Sequence, residues 1–413
     1  MTISLGILIL TYLVLLLMSK YFRAKIVDAY FLIMSPYVFI IIINNLVMVE
    51  TGFDVISDRI IYIHVLGILL FYVGAFGGEC LMSKMKFKPL FKPTMYENIS
   101  LKKLIVLTFF LVVAVGLGKS LLIYKYGLIG FISGGDSIKM FSIFNHLILL
   151  LYPCTMMLCD YALKERKRYY YVLVALAIFL VFSSFIKYHI ISLLISIFIY
   201  IIIRKPKYFI KCGIATLALI VTSFVINYML DFMSNDIQVE NQFYYNHLWQ
   251  YVGGSTIVME YMENYIGNNS NYSIIEWLWG MVTSFPTIFT KAFFDTAISD
   301  YDFSTTLPMV KIGNASGSNV VGILGSAFLQ GNMLSFSLFM IGWGMIVQFV
   351  VTNLNQRNTN TVAPVLVGSI FLSFNILSFF SSFFVLSNPW ETMLCAAILP
   401  SLIKNRSKQI KMI

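Results

Sequence analysis

Eleven apolar segments recur along the chain, and no other feature limits its fold as strongly. An α-helix rises 1.5 Å per residue, so about 20 apolar residues cross the hydrocarbon core of a bilayer. The segments cover residues 2–18, 30–49, 60–82, 104–124, 142–162, 169–185, 188–203, 208–229, 332–352, 361–381 and 390–403. This pattern predicts an all-α polytopic membrane protein with about 11 transmembrane helices, within a range of about 10 to 12.

The composition excludes the other classes of protein. Of the 413 residues, 59% are apolar and 12% are charged, whereas soluble domains carry roughly 25% charged residues. The mean hydropathy is +0.83. A soluble fold cannot cover that much apolar surface, so soluble, disordered, fibrous and disulfide-scaffold proteins are excluded.

The basic residues alternate between successive connections. Most of the 29 lysines and arginines follow the odd-numbered spans, within residues 20–25, 84–103, 164–168, 204–211, 357 and 404–411. Basic connections remain in the cytoplasm. We therefore predict an external N-terminus and a cytoplasmic C-terminus. The net charge of +10 follows from this pattern, so no nucleic-acid partner is expected. Span 1 lacks a basic n-region and a cleavage site, and is expected to remain as an anchor.

Residues 169–203 form one long apolar stretch with a polar break near its middle, from Ser183 to His189. A single helix would place Arg168 and Arg204 on opposite sides of the membrane, which contradicts the alternation of basic connections. We therefore predict two helices joined by a tight external turn.

The largest polar region covers residues 230–331 and divides the chain. An N-terminal bundle of about eight helices, residues 1–229, precedes it, and C-terminal helices with a basic cytoplasmic tail, residues 332–413, follow it. Residues 230–319 contain nine acidic residues and only two lysines. This acid excess agrees with an external position for the loop.

Parts of the large loop have helical periodicity. Residues 243–266 and 273–294 each predict an amphipathic helix. Residues 320–330 predict an interfacial or re-entrant segment before the next span. The loop is therefore expected to be partly helical.

Ionisable residues within spans are functional candidates, because they are costly in lipid. Lys119 lies about five residues from the outer end of its span. It either snorkels to water or serves a binding site. Lys187 stands on the external turn, where it either anchors the helix or meets a lipid-borne phosphate. For His64 and His146, near outer helix ends, a structural role is expected.

The sequence gives no sign of a cofactor. None of the five cysteines lies in residues 230–319, and no His/Cys cluster has metal-ligand spacing. No nucleotide-binding motif occurs. We therefore expect activity that is independent of metal ions and does not use ATP.

Four features together resemble the O-antigen, or oligosaccharide repeat-unit, polymerases (Wzy-type) of bacterial inner membranes. The first is the set of ten or more spans with one large external loop in the second half. The others are the Ser-rich turn with a following lysine at 183–191, the segment Tyr251-Val252-Gly253-Gly254-Ser255, and the approach to the next span through Ser318-Asn319-Val320, Gly325, Gly331 and Gly342. The resemblance covers most of the chain as topology and implies a GT-C-like glycosyltransferase architecture.

The resemblance implies a reaction and its participants. A growing glycan on undecaprenyl pyrophosphate would be transferred onto a single lipid-linked repeat unit at the periplasmic face. The candidates for binding the pyrophosphate are Lys119, Lys187 and Lys311. The candidates for the base are His247, Glu260 and Asp302, and Asn319 is a candidate for positioning sugar. The implied partners are lipid-linked glycans, membrane lipids and a chain-length regulator protein.

Two other functions stay open. An O-antigen ligase would share the topology but use a lipid A-core acceptor. A flippase or transporter for lipid-linked glycans belongs to a different class, in which inverted repeats and midplane polar groups are typical.

The orientation gives a direct prediction. Alkaline phosphatase fused after Asn268 is expected to be active, because that residue lies in the acid-rich loop opposite the basic connections. A fused cytoplasmic reporter is expected to be inactive at the same position. The reverse result would overturn the whole topology.

Overall fold

The computed structural model describes most of the chain. The described residues are 3–21, 29–84, 99–133, 142–184, 187–235, 243–266, 309–313, 317–318, 320–330, 332–356 and 362–404. Asp302, Asn319 and the helix predicted over 273–294 lie outside them.

Helices make up almost all of the described structure. They are α1 (Ile3–Tyr21), α2 (Ala29–Leu46), α3 (Asp58–Lys84), α4 (Leu101–Ser133), α5 (Ser142–Glu165), α6 (Arg168–Phe182), α7 (Lys187–Arg204), α8 (Phe209–Asn235), α9 (Phe243–Val252), α10 (Gly254–Ile266), α11 (Ile323–Gln330), α12 (Met333–Gln356), α13 (Val362–Ile376) and α14 (Ser387–Leu402). Strands β1 (Val310–Lys311) and β2 (Gly317–Ser318) pair antiparallel. Short 3₁₀ turns cover Met48–Thr51, Pro206–Tyr208, Leu377–Phe379 and Phe383–Val385.

The helices coincide with the predicted spans. Each of the eleven apolar segments falls on one of them, because a helix pairs its backbone groups within the segment where lipid offers no partners. Among the described residues, seven helices are long and apolar enough to cross a membrane, and three apolar helices are shorter: Ile3–Ser19, Arg168–Phe182 and Tyr188–Arg204. The chain is thus an all-α polytopic membrane protein. The break predicted within 169–203 is confirmed, since α6 ends at Phe182 and α7 begins at Lys187.

One helix prediction was wrong. Residues 243–266 form two helices, α9 and α10, separated at Gly253. Gly253 donates its backbone N–H to the Trp249 carbonyl at 2.7 Å, and a Cβ there would lie 2.5 Å from Trp249 Nε1. The Gly253-Gly254 pair has low helix propensity, and the indole occupies the space that any side chain at 253 would need.

The chain divides into two compact units built from separate stretches. The first unit comprises residues 1–88, 240–355 and 374–387, and the second comprises residues 89–239, 356–373 and 388–413. In the first unit, α1, α2 and α3 pack on one another, and α10 packs on α11 and β2. The β1–β2 hairpin is tied to the α2–α3 connection by a bridge between Phe53 and Gly313.

Close backbone contact holds α3 against α12 in the first unit. A Cβ on Gly74 would lie 1.9 Å from the Ile341 carbonyl oxygen, and one on Gly344 would lie 2.1 Å from the Phe71 carbonyl oxygen. Gly78, one turn after Gly74, faces Met345 in the same way. Small residues at this spacing let membrane helices approach closely.

The second unit contains α4 to α8 and parts of α13 and α14. At one end, Arg204 Nε lies 2.9 Å from Asp160 Oδ2 and Lys205 Nζ lies 2.7 Å from Asp160 Oδ1. The Ser100 backbone N–H donates to the Ile403 carbonyl at 2.8 Å. The end of α7 therefore pairs with the end of α5, and the start of α4 meets the end of α14; the charge pattern predicts that these helix ends are cytoplasmic.

Candidate functional site

A cavity of about 950 Å³ lies in the second unit between α4, α6, α7 and α8. Its lining follows helical spacing on each helix. The residues on α4 include Gly116, Lys119, Ser120 and Ile123, and those on α6 include Tyr171, Val174, Ala175 and Ile178. Residues at positions i, i+3, i+4 and i+7 share one helix face. Gly116 and Ala175 are small, so the two facing helices leave space between them.

The walls of the cavity are almost entirely apolar. Phe131, Phe179, Leu194, Leu219 and Ile226 contribute large side chains. Helix α8, which supplies Leu219 and Ile226, is mostly exposed on its other faces, since only 6% of its apolar window is buried. A cavity of this size and lining suits part of a hydrocarbon chain.

Lys119 is the charged residue among the described residues of this lining. It is only 7% exposed. Its ammonium donates to the Leu180 carbonyl and to Ser183 Oγ, the latter at 2.9 Å. The side chain therefore does not snorkel to water, and its donors are held at the end of α6.

No described acidic side chain lies within salt-bridge distance of Lys119. An ammonium has three donors, and the described contacts use two of them. Burying a charge without a counter-ion is costly, so a buried lysine lacking a carboxylate partner marks a place where an anion would be stabilised. An apolar cavity with one cation at its edge matches an amphiphile that has a long apolar tail and an anionic head.

The turn after α6 brings further polar groups to the same end of the unit. Ser184 Oγ donates to the Val181 carbonyl at 2.6 Å. Lys187 opens α7 three positions after Ser184, the last described residue of this turn. Along the chain, Lys187 therefore follows shortly after Leu180 and Ser183, the two residues that bond to Lys119.

A polar cluster that the sequence did not reveal surrounds the start of α7. Asn388, on α14, donates to Tyr188 Oη at 2.9 Å and lies 3.3 Å from His189 Nε2. Tyr152, on α5, donates to the His189 carbonyl at 2.5 Å. One turn after Asn388, Glu391 pairs with His146. The signals for this cluster in the sequence are the polar break from Ser183 to His189 and the polar start of α14.

The first unit holds a second set of polar groups, which includes one predicted base. Glu260 Oε2 accepts a hydrogen bond from Ser57 Oγ at 2.5 Å. The neighbouring Tyr261 donates to Asp54 Oδ2 at 2.7 Å. Burial and, after it, the bond to Asp54 raise the pKa of the Tyr261 phenol to about 12. Tyr261 therefore remains a hydrogen-bond donor at neutral pH.

The α2–α3 connection is fixed beneath these groups. Asn44 is fully buried; its Nδ2 donates to the Asp54 carbonyl at 3.0 Å, and its Oδ1 accepts from Trp249 Nε1 at 2.9 Å. Carboxylates, amides and an exposed tyrosine on a rigid base are groups that bind sugar hydroxyls.

The remaining residues singled out in the sequence lie on different elements of the first unit. Lys311 is exposed on β1 of the first unit. His247 lies on α9, in the same unit. His64 is buried, and its Nδ1 lies 2.8 Å from the Ile60 carbonyl oxygen, which agrees with the structural role expected for it. The structure thus brings Glu260, His247 and Lys311 into one unit and Lys119 and Lys187 into the other.

Among the described residues, no group of three or more His, Cys, Asp or Glu side chains is arranged to hold a metal ion. Independence from metal stays a prediction.

No family model matches the sequence, and no curated protein or solved structure shows significant similarity to it.

Proposed function

We propose that this protein polymerises undecaprenyl-pyrophosphate-linked O-antigen repeat units at the periplasmic face of the bacterial inner membrane. The observation that carries the proposal is the apolar cavity of the second unit with Lys119 buried in its lining. The cavity suits an isoprenoid tail, and the ammonium, which has no described carboxylate partner, suits the first phosphate attached to that tail.

The energy for the reaction is stored in the donor. The bond between the anomeric carbon of the growing glycan and the lipid pyrophosphate breaks, and a hydroxyl of the new lipid-linked unit forms the replacing bond. Negative charge develops on the leaving pyrophosphate, and a fixed cation stabilises it most in the transition state. Lys119 is placed for that role, and Lys187 and Lys311 remain proposed contributors.

The acceptor needs groups that orient sugar hydroxyls. The first unit offers Asp54, Ser57, Glu260 and Tyr261 at the end of its helices that the charge pattern predicts to be external. These residues are proposed to bind the repeat unit that accepts the chain. A chain-length regulator protein is a proposed partner, because a polymerase alone has no obvious measure of product length.

The glycan profile of a deletion strain tests the proposal. We expect the lipopolysaccharide of that strain to carry one repeat unit on its core, and a plasmid copy of this protein to restore the ladder. Bare core with stored lipid-linked polymer would instead indicate a ligase. Lipid-linked units trapped on the cytoplasmic side would indicate a flippase.

A further inference from the structure

His146 and Glu391 form a close pair at the start of α5 and α14 in the second unit. His146 Nδ1 lies 2.6 Å from Glu391 Oε2, and the two side chains are 57% and 27% exposed. An ionised carboxylate only accepts hydrogen bonds, so Nδ1 carries the proton of this contact, and in a neutral imidazole Nε2 then has the free lone pair. No described residue donates to that Nε2, which is available to a ligand.

The pair is held in place from both sides. Asn388 precedes Glu391 by one helical turn and bonds to Tyr188 and His189 at the start of α7. Tyr152 follows His146 on α5 and bonds to the His189 carbonyl and to Ser192 Oγ. Both helices that carry the pair are therefore fastened to the start of α7.

The same end of the second unit holds Lys119. Its ammonium bonds to Ser183, six positions before His189, across the turn between α6 and α7. Asn388, one turn before Glu391, contacts His189 on one side of this turn, and Lys119 contacts Ser183 on the other side. An exposed ion pair adds little to stability. The hydrogen bonds that fix the two helices beside this pair are therefore better explained by a chemical role of the pair.

We propose that His146 is the general base of the glycosyl transfer and that Glu391 positions it. This inference rests on the proposed function. The acceptor hydroxyl gives its proton to His146 Nε2 as its oxygen bonds to the anomeric carbon. The bond from that carbon to the lipid pyrophosphate breaks, and its electron pair leaves with the pyrophosphate beside Lys119. Glu391 stabilises the imidazolium, which then releases the proton to water.

The base candidates from the sequence do not belong to the unit that holds Lys119. His247 and Glu260 belong to the first unit, whereas the proposed leaving-group cation belongs to the second. One oxygen of Glu260 already accepts from Ser57. The pair of His146 and Glu391 shares a unit with Lys119.

Turnover of the purified full-length protein in lipid vesicles, with a lipid-linked repeat unit as substrate, tests the inference. We expect His146→Ala to lower the turnover number about 10²–10⁴-fold with an almost unchanged KM. Added imidazole is expected to restore part of that turnover, because the exposed site admits it. Glu391→Gln is expected to lower turnover without imidazole rescue, since it keeps the ring. Glu165→Gln, which removes the carboxylate of another exposed ion pair, is the matched control and should stay active.

The outcomes separate the two proposals. A wild-type protein that elongates no glycan in this assay overturns the proposed function itself. An active wild type together with a His146→Ala variant within about threefold of it overturns the role of His146. Loss of binding alone, with turnover kept at saturating substrate, also overturns it. His146→Asn replaces the alanine variant if the latter is not recovered from membranes, and loss of activity in Glu260→Gln alone would return the base to the first unit.

Discussion

Replacing Lys119 by methionine is expected to abolish long glycan chains while the protein stays folded. Loss of one donor that stabilises a developing charge lowers rates about 10²–10³-fold. Methionine retains the length and apolar character of the side chain, so the cavity keeps its shape. The Leu180 carbonyl keeps Ser183 Oγ as a donor at 3.1 Å after the substitution, so the fold is expected to tolerate the loss of the ammonium. The measurements are the lipopolysaccharide ladder and the thermal stability of the detergent-solubilised protein.

Lys125 gives the matched control on the same helix. It is exposed, and its ammonium lies 4.9 Å from the Tyr126 ring centroid. Lys125→Met should therefore leave the ladder intact. Lys119→Arg should keep part of the activity, because it retains the charge but changes reach and geometry. A normal ladder from Lys119→Met at native expression would show that the lysine does not contact the pyrophosphate.

Gly344→Ala is expected to destabilise the first unit strongly. Its new Cβ would meet the Phe71 carbonyl oxygen at 2.1 Å, so α3 and α12 must separate. Forcing extra volume into packed helices costs about 1–3 kcal/mol, and sometimes more. A fall in apparent Tm of about 5–10 °C is expected, from the usual few degrees per kcal/mol. Fluorescence-detected gel filtration after heating measures it.

Gly342→Ala is the control for this substitution. It lies on the same helix, and a Cβ there meets nothing within 4 Å. Alanine favours a helix over glycine by about 1 kcal/mol, so Gly342→Ala should be neutral or slightly stabilising. Equal effects of the two substitutions would show that the close approach of α3 and α12 does not hold the unit together.

The helices could be predicted because lipid leaves an apolar segment few alternatives. The split between α6 and α7 could also be predicted, because only two helices return Arg204 to the same side of the membrane as Arg168. The break at Gly253 was missed because apolar residues keep a helical period on both sides of it. Helical periodicity reports which face is buried, and it does not report where a glycine pair interrupts the backbone.

The candidate site could be predicted only in part. Lys119 was identified because an ionisable residue within an apolar span is costly wherever it points. The cavity beside it is lined by small residues from two helices, Gly116 on α4 and Ala175 on α6, and no local pattern shows that these helices come together. The pair of His146 and Glu391 joins positions 245 residues apart, and a single sequence contains no signal for such a contact.

The glycines that touch backbone also bear on how this sequence can diverge. Most apolar positions that face lipid can exchange leucine, isoleucine, valine or phenylalanine with little effect, so the sequence similarity between homologues of such a chain falls quickly. Gly74, Gly322 and Gly344 cannot be substituted in this way, because a Cβ at any of these positions would come within 2.4 Å of a carbonyl oxygen. Distant homologues should therefore be recognisable by the spacing of these glycines long after their apolar letters have changed.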